Sequence, residues 1–245
     1  MAKSFRKFKN LAIDVSSEAN EVIVDLLRIL KSKYDYRTLS TLTGFPVSTL
    51  TRYITGKTSP KGAKAKKLLE RLLNSVNVMR LIIEEGFDGN GVDLARVMLN
   101  PSMVKIIGAH VINEFTGMKI TSILSLDVLS MPLASYIASA TSRPMHIVSS
   151  EPISMNGDAT PIIFADGGNG SARAYWLLAR KNCRSESVLA VASQTPNPYF
   201  FNALVDALRK MEMELGGFFT IVAREEDLKK LRIPPGVKRS YIVLS

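Results

Sequence analysis

The stretch VLAVASQTPNPYFFNALVDAL, residues 188–208, decides the fold. Val188 to Ala192 is an uninterrupted apolar run, the pattern of a strand buried on both faces. Ser193 to Pro198 reads as a short loop, and a helix is expected from about Tyr199. Strand, loop and helix in that order form the repeating unit of a parallel α/β sheet, and free N–H groups at such a helix start commonly hold an anion. Loops of that kind use glycine for close backbone approach and acidic residues to hold a metal or a sugar. This one has neither.

Toward the carboxyl end, the helix is expected over 199–215, a strand over 218–223, a short helix over 225–231 and a last strand over 241–244. Toward the amino end, a helix spans 102–115, a strand 120–126, a short loop 127–130, a helix 131–140 and a strand 144–149. Residues 150–172 form a polar, irregular, glycine-rich insertion that includes DGGNGS at 166–171, and a strand follows at 174–179. DGGNGS lacks the spacing of a dinucleotide fingerprint. Helices alternating with strands predict a mostly parallel sheet with helices on both faces, whose ligands gather at the carboxyl ends of the strands.

Charge divides the chain. Residues 1–80 hold 16 Lys and Arg against 6 Asp and Glu, whereas residues 81–245 hold 16 of each. All ten excess positive charges therefore sit in the first third, as expected of a module that meets a polyanion. No apolar run approaches the roughly 20 residues of a membrane span, and no secretory signal pattern is visible, so a cytoplasmic protein is expected with no membrane partner. Cys183 is the only cysteine, and His110 and His146 the only histidines. Neither a disulfide nor a Cys/His metal site is expected, and no cofactor.

Within the basic third, apolar residues at helical spacing predict a helix over 17–33, a short helix over 37–43, a turn at Gly44, a second short helix over 46–55 and a fourth helix from about residue 60. Residues 61–85 are helix-prone almost throughout, with an undecided break at 74–77. Leu39, Phe45 and Leu50, with Tyr53 or Ile54, supply the apolar contacts between the crossed helices. Pro46, Val47, Ser48, Thr49, Thr51 and Arg52 project outward. No acidic residue lies between Asp35 and Glu70, a span with seven cations. The division into domains is expected at 1–76 and 77–245.

Residues 20–73 resemble a helix-turn-helix of the lambda-repressor-like type: a leucine, a small residue, Gly44, a Ser/Thr-rich second helix ending in Arg52-Tyr53, then Gly56-Lys57. That resemblance implies double-stranded DNA as partner, with the second helix in the major groove. Ser48, Thr49 and Arg52 would then face base edges and Val47 a thymine methyl, while Thr51, Lys57, Lys61 and Lys64 would meet phosphates.

Residues 81–245 resemble the type I phosphoribosyltransferase fold. In that frame the 127–130 loop contacts pyrophosphate, the insertion is a hood over the active site, and the 193–198 loop wraps a ribose phosphate. Ala192 and Ser193 stand where the family has two acidic residues, and Pro196, Asn197, Pro198 and Tyr199 replace its glycine-rich turn. Proline offers no N–H, so no catalytic residues are assigned and an enzyme is not expected. Asp127, Ser130, Arg173, Ser193, Thr195 and Asn197 are the candidate ligand-binding residues, with Tyr175 and Trp176 able to cover a ligand. Together the two resemblances imply a homodimeric regulator of the kind known among bacterial purine repressors and archaeal phosphoribosyltransferase-like regulators, with a nucleotide or phosphorylated metabolite as effector. An active phosphoribosyltransferase with an added nucleic-acid-binding domain, and a DNA- or RNA-binding protein without sequence preference, are the alternatives.

Overall fold

A computed structural model describes residues 18–75, 77–89, 91–153, 159–165, 171–180 and 182–244. The chain divides at His110/Val111 into a helical unit and an α/β unit. The helical unit thus runs well past residue 76, where composition suggested a boundary. Its helices are α1 (Glu18–Lys33), α2 (Tyr36–Thr43), α3 (Val47–Ile54), α4 (Gly62–Ser75), α5 (Val78–Gly86), α6 (Leu94–Met98) and the start of α7 (Pro101–Glu114). The expected helix-prone run is broken: α4 ends at Ser75, and Asn77 caps α5 by accepting a hydrogen bond from the Arg80 N–H at 2.9 Å.

Charge pairs tie the later helices to α1. Glu84 of α5 pairs with Lys33 of α1, and Lys105 of α7 lies 3.0 Å from Glu21 and 3.3 Å from Asp25, both on α1. The unit's core is an apolar stripe from each helix, including Leu26 and Leu27 of α1, Leu39 of α2, Leu50 of α3 and Leu68 and Leu72 of α4, all fully buried.

The α/β unit is a seven-stranded sheet in the order β3-β4-β2-β1-β5-β6-β7. Its strands are β1 (Ser122–Ser125), β2 (Met145–Ser149), β3 (Ala159–Ala165), β4 (Ala172–Leu178), β5 (Ser187–Gln194), β6 (Glu214–Ala223) and β7 (Lys238–Leu244). β2, β1, β5, β6 and β7 run parallel, and β3 and β4 are antiparallel additions at one edge. Helix α8 (Met131–Ala140) packs on β1 and β2, and α9 (Pro198–Lys210) packs on β3 and β6. A short α10 (Glu225–Leu228) precedes β7. The run at 188–192 is the buried centre of β5, as its composition required.

Two expectations are corrected. The insertion at 150–172 contains a regular strand, β3, whose Ile162 and Phe164 turn inward while Pro161, Ile163 and Ala165 face out. Helix α9 stops at Lys210 rather than 215: Glu212 takes a left-handed φ of 58°, and the Met213 N–H returns to Leu208 O at 2.9 Å. Residues from Glu214 then join β6, because pairing with β5 outweighs the helix propensity of Met, Glu and Leu. Gly217 is required there, since a Cβ would lie 2.7 Å from the Phe115 ring. DGGNGS lies outside the described residues save for Ser171. Among the described residues, no helix is long and apolar enough to cross a membrane, and no group of three His, Cys, Asp or Glu could hold a metal ion.

Candidate functional site

In the helical unit, the turn between α2 and α3 is built from its residue types. Asp35 opens α2 by accepting the Thr38 N–H at 2.7 Å, a bond that holds its carboxyl below the ordinary carboxylate value. Gly44 closes α2 at φ 68°, returning its N–H to Ser40 O, and the Ser40 hydroxyl donates to Phe45 O at 2.7 Å. From α4, Arg71 Nη1 donates to Thr43 O at 2.6 Å, so this arginine serves the turn. Leu50 and Tyr53 point into the core, which leaves Ile54 half-buried.

The opposite side of α3 is open. Ser48 and Arg52, one turn apart, are exposed, as is Val47, whereas Thr49 and Thr51 are half-buried. The Thr51 hydroxyl donates back to Val47 O at 2.9 Å and retains its acceptor lone pairs. Lys57, Lys61 and Lys64 are exposed, and among the described residues none of these three, nor Arg52, has a carboxylate partner. The face thus joins hydroxyl, guanidinium and ammonium donors without a neutralising acid.

In the α/β unit, a cleft of about 580 Å³ opens at the carboxyl ends of β1, β2 and β5. Asp127, Arg173, Ser193, Thr195 and Asn197 all line it. Ser130 does not: it is fully buried, its hydroxyl 2.9 Å from Ser125 Oγ and donating to Asp127 O. Tyr175 lines the cleft, but Trp176, the next residue on β4, points to the other face and does not.

Most of these polar groups are already engaged. Asp127 accepts two backbone N–H groups at 2.8 Å, Ser130 N–H on Oδ1 and Ser193 N–H on Oδ2. Thr195 donates its N–H to Val222 O, and its hydroxyl accepts from the Arg224 N–H at 2.9 Å. Asn197 is the N-cap of α9, its Oδ1 accepting from Tyr199 N–H at 2.9 Å and Phe200 N–H at 3.4 Å. The helix start that the sequence offered as an anion site is therefore closed by its own cap.

Phe164, Phe200 and Gln194 also line the cleft, and sequence reasoning did not assign them. Phe164 and Tyr175 stack with ring centres 5.7 Å apart and 5° between planes, and Phe200 is tilted against both. The alternation Ile162, Phe164 in the insertion was the available signal. At the other end of the sheet, His146 Nε2 donates to Glu186 at 2.6 Å, and Arg180 grips the same carboxylate through Nε and Nη2 at 3.0 and 2.6 Å.

No protein-family model matches the chain. Over 169 residues, 68% of the chain, it is 23% identical to the probable purine biosynthesis transcriptional regulator PurR of Streptococcus pneumoniae serotype 4, and equally to that of strain R6. The chain spans about 60% of the length of these curated relatives. Among solved structures, adenine phosphoribosyltransferase from Thermoanaerobacter pseudethanolicus superposes with a TM-score of 0.56 at 11% identity, covering 68% of this chain and 99% of that enzyme. The Leishmania donovani enzyme gives 0.57 at 11% identity, over 70% and 81%. The α/β unit has a type I phosphoribosyltransferase-like fold, and the chain joins it to a small helical region.

Proposed function

We propose that the protein is a sequence-specific DNA-binding transcription regulator: a helix-turn-helix reads DNA, and the phosphoribosyltransferase-like unit pairs two copies and holds a small effector. The outward face of α3 carries this reading. Ser48, Thr49 and Arg52 would reach base edges, with Val47 against a thymine methyl, and Thr51, Lys57, Lys61 and Lys64 would lie along the phosphates. The likeness to the streptococcal regulators supports the same assignment. One small module makes few contacts, so two copies on paired half-sites are expected.

The second reading is an active phosphoribosyltransferase with an added nucleic-acid-binding region. The fold favours it, since nearly all of the Thermoanaerobacter enzyme is matched and the cleft remains open at the ends of β1, β2 and β5. The loop after β5 weighs against it, because Ala192 brings no carboxylate to hold a ribose and Pro196 and Pro198 no N–H group to hold its phosphate.

Selection of bound fragments from random duplex DNA by the full-length protein tests the first reading, with enrichment of a two-fold symmetric motif as the expected result. Arg52→Ala should relax base preference, whereas Lys64→Ala should weaken all sequences alike and lower the salt slope by about one. Turnover of adenine with magnesium and phosphoribosyl diphosphate would establish the second reading instead. Steeply salt-dependent binding with no enriched motif would point to a module without sequence preference.

A further inference from the structure

The carboxylate of Asp127 sits where the two loops that frame the cleft meet. It receives Ser130 N–H from its own loop and Ser193 N–H from the end of β5, each at 2.8 Å. Backbone N–H groups converging from separate loops on one anion are the means by which proteins hold a phosphate or carboxylate ligand. Here the chain supplies the anion. Three neighbouring donors are spent as well: Thr195 N–H on Val222 O, and the Tyr199 and Phe200 N–H groups on Asn197. Among the described residues, the charged side chains in the lining are one acid, Asp127, and one base, Arg173, so these side chains give no excess positive charge to draw a phosphate.

What remains suits a different ligand. The stacked pair Phe164 and Tyr175, with Phe200 against them, gives the cleft an aromatic wall. Ser149, Ser150 and Gln194 bring side chains that both donate and accept hydrogen bonds. A volume of about 580 Å³ is within the range of small-molecule sites.

We propose that Asp127 is a specificity-determining residue, an internal anion that takes the two backbone donors converging from the loops after β1 and β5 and selects an uncharged flat heterocycle, of nucleobase or nucleoside size, over its phosphorylated form. This rests on the reading of the cleft as an effector site, and it replaces the phosphorylated effector expected from sequence.

The test is isothermal titration of the full-length protein, without DNA, against the five nucleobases, their nucleosides, the matching 5′-monophosphates and phosphoribosyl diphosphate. At least one base or nucleoside should bind, with its monophosphate weaker by about tenfold or more, a factor equivalent to 1.4 kcal/mol. Asp127→Asn removes the charge and leaves one of the two N–H groups without an oxygen acceptor, so it should narrow that ratio at least about threefold. The parent protein's ratio stands alone if the variant is unstable. A monophosphate or phosphoribosyl diphosphate binding as tightly as the unphosphorylated compound would overturn the proposal, as would no binding by any compound. An enriched DNA motif alongside either of those results would leave the regulator reading standing.

Discussion

Asn197→Ala isolates the cap that closes the α9 amino terminus. The side chain accepts two backbone N–H groups, at 2.9 Å from Tyr199 and 3.4 Å from Phe200. The second bond is long, so the substitution removes one good hydrogen bond and one marginal bond. N-cap removal of this kind costs about 1 kcal/mol. Helix α9 buries Phe200, Phe201, Leu204, Val205, Ala207 and Leu208, so fraying stays within the first turn and the loss should not grow beyond that figure. For a unit the size of residues 111–245, 1 kcal/mol lowers Tm by roughly 3–5 °C. Thermal melting followed by far-ultraviolet circular dichroism reads this directly. Asn197→Asp keeps an oxygen acceptor and adds a favourable charge at the helix start, so it should melt within about 1 °C of the parent. In the alanine variant the two freed N–H groups lie at the helix start beside the cleft that Asn197 and Phe200 line, and added sulfate should restore up to about 1 kcal/mol that it does not give the parent. If Asn197→Ala melts with the parent, or Asn197→Asp falls as far as Asn197→Ala, the capping account is wrong.

Two further substitutions probe one unit each. Arg71→Ala removes the 2.6 Å bond to Thr43 O at the turn before α3; it should destabilise the helical unit by about 1 kcal/mol and, on the proposed DNA-binding reading, weaken DNA binding while leaving its salt slope unchanged, a contrast with Lys64→Ala seen by titrating DNA at several salt concentrations. Glu186 is buried, which opposes its ionisation, yet the hydrogen bonds from His146 and Arg180 outweigh that and hold its carboxyl below the ordinary value of 4.5. A depressed carboxyl contributes stability that is complete above its unfolded value and lost as pH falls through the folded one. Glu186→Gln should therefore be clearly less stable than the parent at neutral pH, with the gap closing below pH 4.5, as read by urea unfolding across that window; a gap that stays constant with pH would refute the charge assignment.

The fold was legible wherever one segment carried its own pattern. The β5 run is apolar because both its faces are covered, Gly44 marks a turn because α2 needs a left-handed residue to end, and α8 starts at Met131 and ends at Ala140 as its composition indicated. Where distant partners decided the outcome, sequence pattern failed. Glu214 and Leu215 look helical until β5 is beside them, and β3 is hidden by Pro161 and its polar surroundings. The candidate cleft was located from the strand–loop–helix junction, but the roles within it were not. Asn197 precedes a proline at a helix start, which is a capping signal, and was assigned to a ligand instead. Nothing local to Asp127 reveals that its second oxygen is taken by the N–H of Ser193, 66 residues away.

The brace formed by Asp127 also bears on how quickly and at what entropic cost the cleft can be filled. Loops that a ligand must first order exact a penalty in lost freedom, and their closure can limit the rate of capture. Here the loops after β1 and β5 are fastened to each other before any ligand arrives. A molecule entering between these two loops would meet them already joined, so ordering them would add nothing to its entropic cost and would not set its rate of capture.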